Sequence, residues 1–158
     1  MRLYLHTPGS LDVAVVEDVD PDANLSAIVE VGEGDFVFVD DGEEPVDVQL
    51  SIVEILGVSR DEPGHHHVHR HPCREIIVEV VYNGRGRAIP ARPGTHVETL
   101  VLRAISEFGI DPVTGADLVL RFPGSDDDLP SSECVGSLVV PGSCSLTLNL
   151  LPGHREQG

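Results

Sequence analysis

Four histidines stand at alternate positions, His65, His67, His69 and His71, in the run HHHVHRH. If the run is a strand they share one face, with neighbours about 7 Å apart. Side-by-side imidazoles bind Zn²⁺ or Cu²⁺ when further ligands complete the shell. A structural site draws those ligands from at least two segments, and outside the run the only histidines are His6, His96 and His154. Left uncompleted, the four form a solvated or interfacial face that is mildly sensitive to pH. The cysteines, Cys73, Cys134 and Cys144, are odd in number and contain no CxxC pair. That fits structural thiols in a reducing compartment better than a disulfide framework. Cys134 has no histidine at a spacing that suggests a nucleophile pair. The acidic clusters Asp40-Asp41-Gly42-Glu43-Glu44 and Asp126-Asp127-Asp128 fall in turn-like sequence, where carboxylates are solvated rather than enclosed for acid–base work. No phosphate-binding GxxxxGK loop is present, and no residue set points to catalysis or to a cofactor.

The elements that hold these residues are short. A chain of 158 residues accommodates one or two small domains. Its net charge of −17 disfavours nucleic acid and anionic membrane, since a phosphate surface needs cations to displace its counterions. A basic partner protein is the natural counterpart. The opening MRLYLHTPGSLDV lacks a charged region followed by an apolar run, and no stretch approaches the roughly 20 apolar residues that span a bilayer. A cytoplasmic protein is expected.

RLYLHT (2–7) and LDVAVVE (11–17) alternate on either side of Pro8-Gly9-Ser10, with Leu11, Val13 and Val15 in register, and so predict a hairpin. Asp20-Pro21-Asp22 then opens a segment in which Leu25, Ile28 and Val29 recur at helical spacing, predicting about three turns that end at Gly32. FVFV (36–39) predicts a strand, followed by an acidic turn and the small segment LSIVEILG. The second half repeats this order. EIIVEVVY (75–82) and GRAIPA (86–91) flank Asn83-Gly84, a favoured hairpin turn. Thr95 and Glu98 have capping-box spacing, and Val97, Leu100, Val101, Ala104, Ile105 and Phe108 form one apolar stripe closed by Gly109. LVLRF (118–122) and SLTLNLL (145–151) complete the half as strands. Using the second half as template places the missing last strand of the first half on the histidine run at 65–71. Hairpin, helix, strand, short segment and last strand, twice over, predict an α+β chain of two tandem β-grasp units. Each is a mixed sheet with one helix across it, in residues 1–72 and 73–158.

On these residues the chain resembles ubiquitin. MRLYLHTPGSLDVAVVEDVDPDANLSAIV follows ubiquitin's opening, and REIIVEVVYNG, LVLRFPGSDDDL and LTLNLLPG follow the same pattern through the second half. The tandem arrangement is similar to the double ubiquitin-like modifiers of bacterial antiviral ubiquitination-like operons. The resemblance implies a non-catalytic protein modifier, conjugated to target proteins by an activating enzyme and a conjugating enzyme and removed by a metalloprotease-type deconjugating enzyme. It places the conjugating role on Gly158, at the end of a flexible tail spanning 152–158. A residue without Cβ suits the narrow channel in which a terminal carboxylate is adenylated and passed to cysteine thioesters. The sequence departs from ubiquitin's double glycine, because Gln157 precedes Gly158. Gly153 is the competing site if HREQG is trimmed, but it stands close to the last strand. His71-Pro72-Cys73-Arg74 offers no glycine at which the two units could be separated into individual modifiers.

All ten basic residues are arginine. A genome favouring Arg codons accounts for that, and in a modifier it also removes every ε-amine that could accept an isopeptide bond. Two other readings share the fold. One is a non-conjugated tandem β-grasp interaction or oligomerisation module working through sheet edges or the histidine face. The other is a sulfur carrier with an adenylated terminal glycine.

Overall fold

The computed structural model describes residues 1–57 and 64–153. They form two four-stranded mixed sheets of the same design. In the first sheet, β1 (Arg2–His6) and β2 (Val13–Val16) form an antiparallel hairpin, β4 (His65–His71) lies parallel beside β1, and β3 (Phe36–Val39) closes the edge, in the order β2-β1-β4-β3. In the second, β5 (Ile76–Tyr82), β6 (Arg85–Ala91), β7 (Leu118–Arg121) and β8 (Ser145–Pro152) repeat it as β6-β5-β8-β7. The chain is thus two tandem β-grasp units, and the histidine run is the last strand anticipated for the first, lying centrally in its sheet.

Alternation decides what each sheet buries. Ile76, Val78 and Val80 are fully buried beneath α2 (Val97–Glu107), which contributes Val97, Leu100 and Ala104, while Leu148 and Leu150 come from β8. The first core is smaller, built on Leu3, Val37, Val68, Leu25 and Ile52. Each fully buried aliphatic side chain contributes about 1.5–3 kcal/mol. In β2 only Val16, paired with Leu3, is half-buried; Leu11, Val13, Ala14 and Val15 are exposed.

The helix expected after Asp20-Pro21 is reduced to one 3-10 turn, Leu25–Ala27. Its first two N–H groups find distant partners, whereas Ala27 N–H donates to Asn24 and Ile28 and Val29 N–H donate to Leu25 within the turn. Leu25 N–H donates to the Leu50 carbonyl and Ser26 N–H to Val48, while Ile52 and Val53 N–H return to Ala23 and Pro21. The second unit carries the same clasp. Val97 and Glu98 N–H donate to Glu133 and Ser131, and Val135 and Gly136 N–H return to Thr95 and Pro93. These backbone donations replace the expected capping box at Thr95, whose Oγ1 instead accepts from Arg92 N–H; His96 is the N-cap residue and makes no side-chain cap bond. Such a match between the units, in bonds far apart along the chain, marks them as structural repeats.

LSIVEILG forms a short helix, α1 (Ile52–Leu56), and its counterpart in the second unit is α4 (Val135–Leu138); α3 (Pro112–Gly115) follows α2. At α1, Ser51 Oγ accepts from Glu54 N–H while the Glu54 carboxylate accepts from Ser51 N–H. Replacing Ser51 with Ala is expected to cost about 1 kcal/mol, read as a lowered urea midpoint; an unchanged midpoint would remove the cap from the account.

The cysteine reading needs correction. Cys73 and Cys144 form a disulfide, with Cα atoms 5.7 Å apart. They precede β5 and β8, which run parallel and in contact, and Ile77 N–H donates to the Cys144 carbonyl. Two residues entering adjacent parallel strands from the same end lie within bridging reach. Only Cys134 is free, buried, with its thiol pushed up to about 11 by burial first and by Glu133 and Asp41 next. Among the described residues no helix is long and apolar enough to cross a membrane.

Candidate functional site: the tail root and the histidine face

The last strand leads directly to the conjugation candidates. β8 ends at Pro152, paired with Leu118, and Gly153 N–H donates to the Asp117 carbonyl at 2.9 Å. A Cβ at Gly153 would meet Val119 Cγ1 at 3.1 Å, so this glycine is backbone-bonded and packed against the edge strand. Gly158 and His154 lie outside the described residues. Arg121, from the neighbouring strand, pairs with Asp128 at 2.6 Å, and an Asp128 oxygen stands 3.5 Å from that same Cβ position.

The histidines share one face, as their spacing requires, and that face is the side of the first sheet turned away from its own core. Tyr4 and His6 of β1 stand on it beside His65, His67 and His69. Tyr4 stacks on His67 at 4.9 Å and His6 on His69 at 4.4 Å, and a 2.8 Å hydrogen bond joins His6 Nε2 to His67 Nδ1. That bond requires one neutral ring as acceptor. His66, on the opposite face, bonds Asp40 through Nδ1 at 2.7 Å, and the other Asp40 oxygen accepts from His67 N–H.

At its far end the face is covered by the second unit. His69 and His71 are buried, as is Phe38, which pairs with His69. His6, His69 and His71 line a small cleft with Pro93, Gly136 and Ser137 of the second unit. Gly94 admits the close approach, because a Cβ there would fall 2.8 Å from the Asp40 carbonyl and 3.0 Å from the His69 ring. Gly9 N–H donates to the Gly136 carbonyl, and Arg74–Glu44 (2.7 Å) and Arg103–Glu43 (3.5 Å) pairs cross between the units at the surface. His71 Nδ1 accepts from Cys73 N–H, which leaves its buried Nε2 as the donor with no hydrogen bond among the described residues.

Burial, with the neighbouring imidazoles adding to it, pushes His69 down to about 3 and His6 down to about 4. His67 and His71 are also lowered, chiefly by burial, with Asp40 opposing at His67 and the Gly136 carbonyl at His71. Near neutral pH these four rings are therefore uncharged, and His6, His67 and His69 engage one another. Among the described residues no three His, Cys, Asp or Glu side chains are disposed to hold a metal ion. The sequence locates the face; its burial by the second unit carries no local signal.

Residues 77–153, which span nearly all of the second unit, match the family model described as BilA ubiquitin-like domain 2. No curated protein matches the chain. Among solved structures, the ubiquitin of Caldiarchaeum subterraneum is similar with a TM-score of 0.40 and 14% identity, covering 52% of this chain and 98% of that one. A chain of the crystal structure of the pParkin-pUb-UbcH7 complex also gives a TM-score of 0.40, at 11% identity, covering 50% of this chain and 23% of its own length. The second unit is thus similar to a BilA ubiquitin-like domain, and the first unit repeats its strand order and backbone clasp.

Proposed function

We propose that this protein is a ubiquitin-like modifier, itself non-catalytic, whose C-terminal glycine, Gly158, is adenylated by an activating enzyme, passed to a conjugating enzyme and joined to target proteins. The observation that carries the reading is the match of the second unit, the one that leads into the tail, to a BilA ubiquitin-like domain. Gly153 fits the role poorly, because its N–H is bonded to Asp117 and its backbone is packed on Val119. Gly158 is preferred, five residues further along the polar segment HREQG. A metalloprotease-type enzyme would reverse the linkage, and the setting is cytoplasmic antiphage defence. With no lysine in the chain, attached copies receive no further copy on a side-chain amine, and the N-terminal amine is the acceptor that remains. The first unit, which in this reading does not enter the activating enzyme, faces targets or partners.

The reading is tested with candidate activating and conjugating enzymes from the same organism. Wild type is expected to form a thioester on the conjugating enzyme that disappears when Gly158 is deleted. A thioester that survives the deletion would move the site elsewhere. Absence of any thioester with enzymes active on another substrate would leave the tandem protein as an interaction module.

A further inference from the structure

Beside the root of the tail lies an apolar groove of about 500 Å³. One wall is the exposed shoulder of α2, with Val101, Leu102 and Ile105; the other is edge strand β7, with Leu118 and Val119, and Leu129. Its end is shaped by α3, which reaches α2 because Gly115 has no Cβ to strike Ile105 Cδ1, a contact that would be 2.9 Å. Leu102, on the rim, is 63% exposed. Neither core accounts for this opening: the residues below it already fill the second core, and the groove faces outward.

Two features point to its occupant. The first is position. Val119, in the groove wall, is the residue against which Gly153 packs, and Leu118 pairs with Pro152, so an occupant of the groove sits beside the point where the tail leaves the sheet. The second is charge. Glu98 lines the groove, and Asp111 and Asp117 flank α3. Among the described residues, Arg103 is engaged with the Pro90 carbonyl and Glu43, and Arg121 with Asp128. The groove is therefore apolar within and acidic around, on a chain of net charge −17.

We propose that this groove is the docking surface for the activating enzyme, and that it takes an apolar side chain of that enzyme flanked by Arg or Lys. The inference rests on the modifier reading and adds to it the surface by which the enzyme holds the domain while the tail enters its active site. Apolar burial supplies affinity, and the acidic rim steers encounter and excludes acidic competitors.

The test is ATP–pyrophosphate exchange by the activating enzyme that adenylates this protein, with full-length protein as the varied substrate. Leu102→Glu and Glu98→Arg both alter exposed positions, and thermal unfolding monitors their fold. Each is expected to raise KM at least tenfold with kcat unchanged, and the wild-type KM is expected to rise with salt. Leu11→Glu, an exposed change on the first unit, is expected to leave both constants at wild-type values. Groove variants with wild-type KM would overturn the proposal while the modifier reading stands. Wild-type KM together with loss of a dimer in Leu102→Glu, seen by sedimentation, would assign the groove to a second copy and overturn it equally. No exchange with wild type would overturn the modifier reading, and the proposal with it.

Discussion

Reduction of the Cys73–Cys144 disulfide is expected to destabilise the second unit by about 4 kcal/mol, the chain-entropy value for a cross-link closing a loop of this size, here a sequence separation of 71. The bond ties the ends of the two central parallel strands, β5 and β8, whose pairing otherwise requires closing the whole unit. Cys144 is exposed while Cys73 is buried, so a reductant attacks at the Cys144 sulfur and Cys73 leaves as the thiolate. Cys134, buried and with its thiol pushed up to about 11, takes no part. Urea unfolding with and without reductant measures the effect, and Cys144→Ser is expected to match the reduced wild type under both conditions. Coincident curves for oxidised and reduced wild type would contradict it. Amide exchange sharpens the test: protection is expected to fall in 76–82 and 145–152 and to hold in β1 and β4.

Acid is expected to loosen the histidine face over a definite window. Imidazoles in the unfolded chain titrate near 6.5, whereas His6 and His69 are held down to about 4 and about 3. Above 6.5 both states are neutral at these sites and stability is at its full value. Below it the unfolded chain binds more protons, so stability falls as pH drops from 6.5 toward the folded values, by up to about 1.4 kcal/mol per pH unit for each proton. His67 and His96 repel the incoming charge at both sites, and at His69 Asp40 partly offsets it. Protonation also breaks the His6–His67 hydrogen bond once neither ring is left to accept. Urea unfolding at pH 7.5 and 5.0 is expected to show a smaller acid loss in His69→Gln than in wild type, by up to about 2 kcal/mol, the worth of one proton over the interval. Carboxylate titration is common to both proteins and cancels. Equal losses in the two would contradict the account.

The repeat was legible because alternation and turn residues are local signals. EIIVEVVY, Asn83-Gly84 and SLTLNLL identify their own strands, and they place the weaker HHHVHRH by analogy. What escaped was non-local. Leu25, Ile28 and Val29 have helical spacing, yet only the single turn closed by Ile28 and Val29 N–H on the Leu25 carbonyl forms, although the second unit builds a full helix behind the same clasp. Thr95 has capping spacing, yet its hydroxyl serves Arg92 N–H while Glu133 and Ser131 satisfy the helix start. The cysteines looked unpaired in spacing, although the topology inferred from the repeat already set Cys73 and Cys144 at the same end of neighbouring strands. The alternation of the histidines revealed their shared face but not that Pro93, Gly94 and Gly136 would cover part of it. The groove beside the tail depends on Gly115 meeting Ile105 and has no signature in a linear sequence.

The measurement that bears most directly on the modifier reading is intact mass. The protein is co-expressed with candidate activating and conjugating enzymes from the same organism, as wild type and with Gly158 deleted, and covalent adducts are weighed. The account predicts a second protein heavier by the mass of one copy less one water, with the linkage at Gly158, and no such species from the deleted form. Adducts of unchanged yield after the deletion, or none from the wild type despite active enzymes, would contradict it.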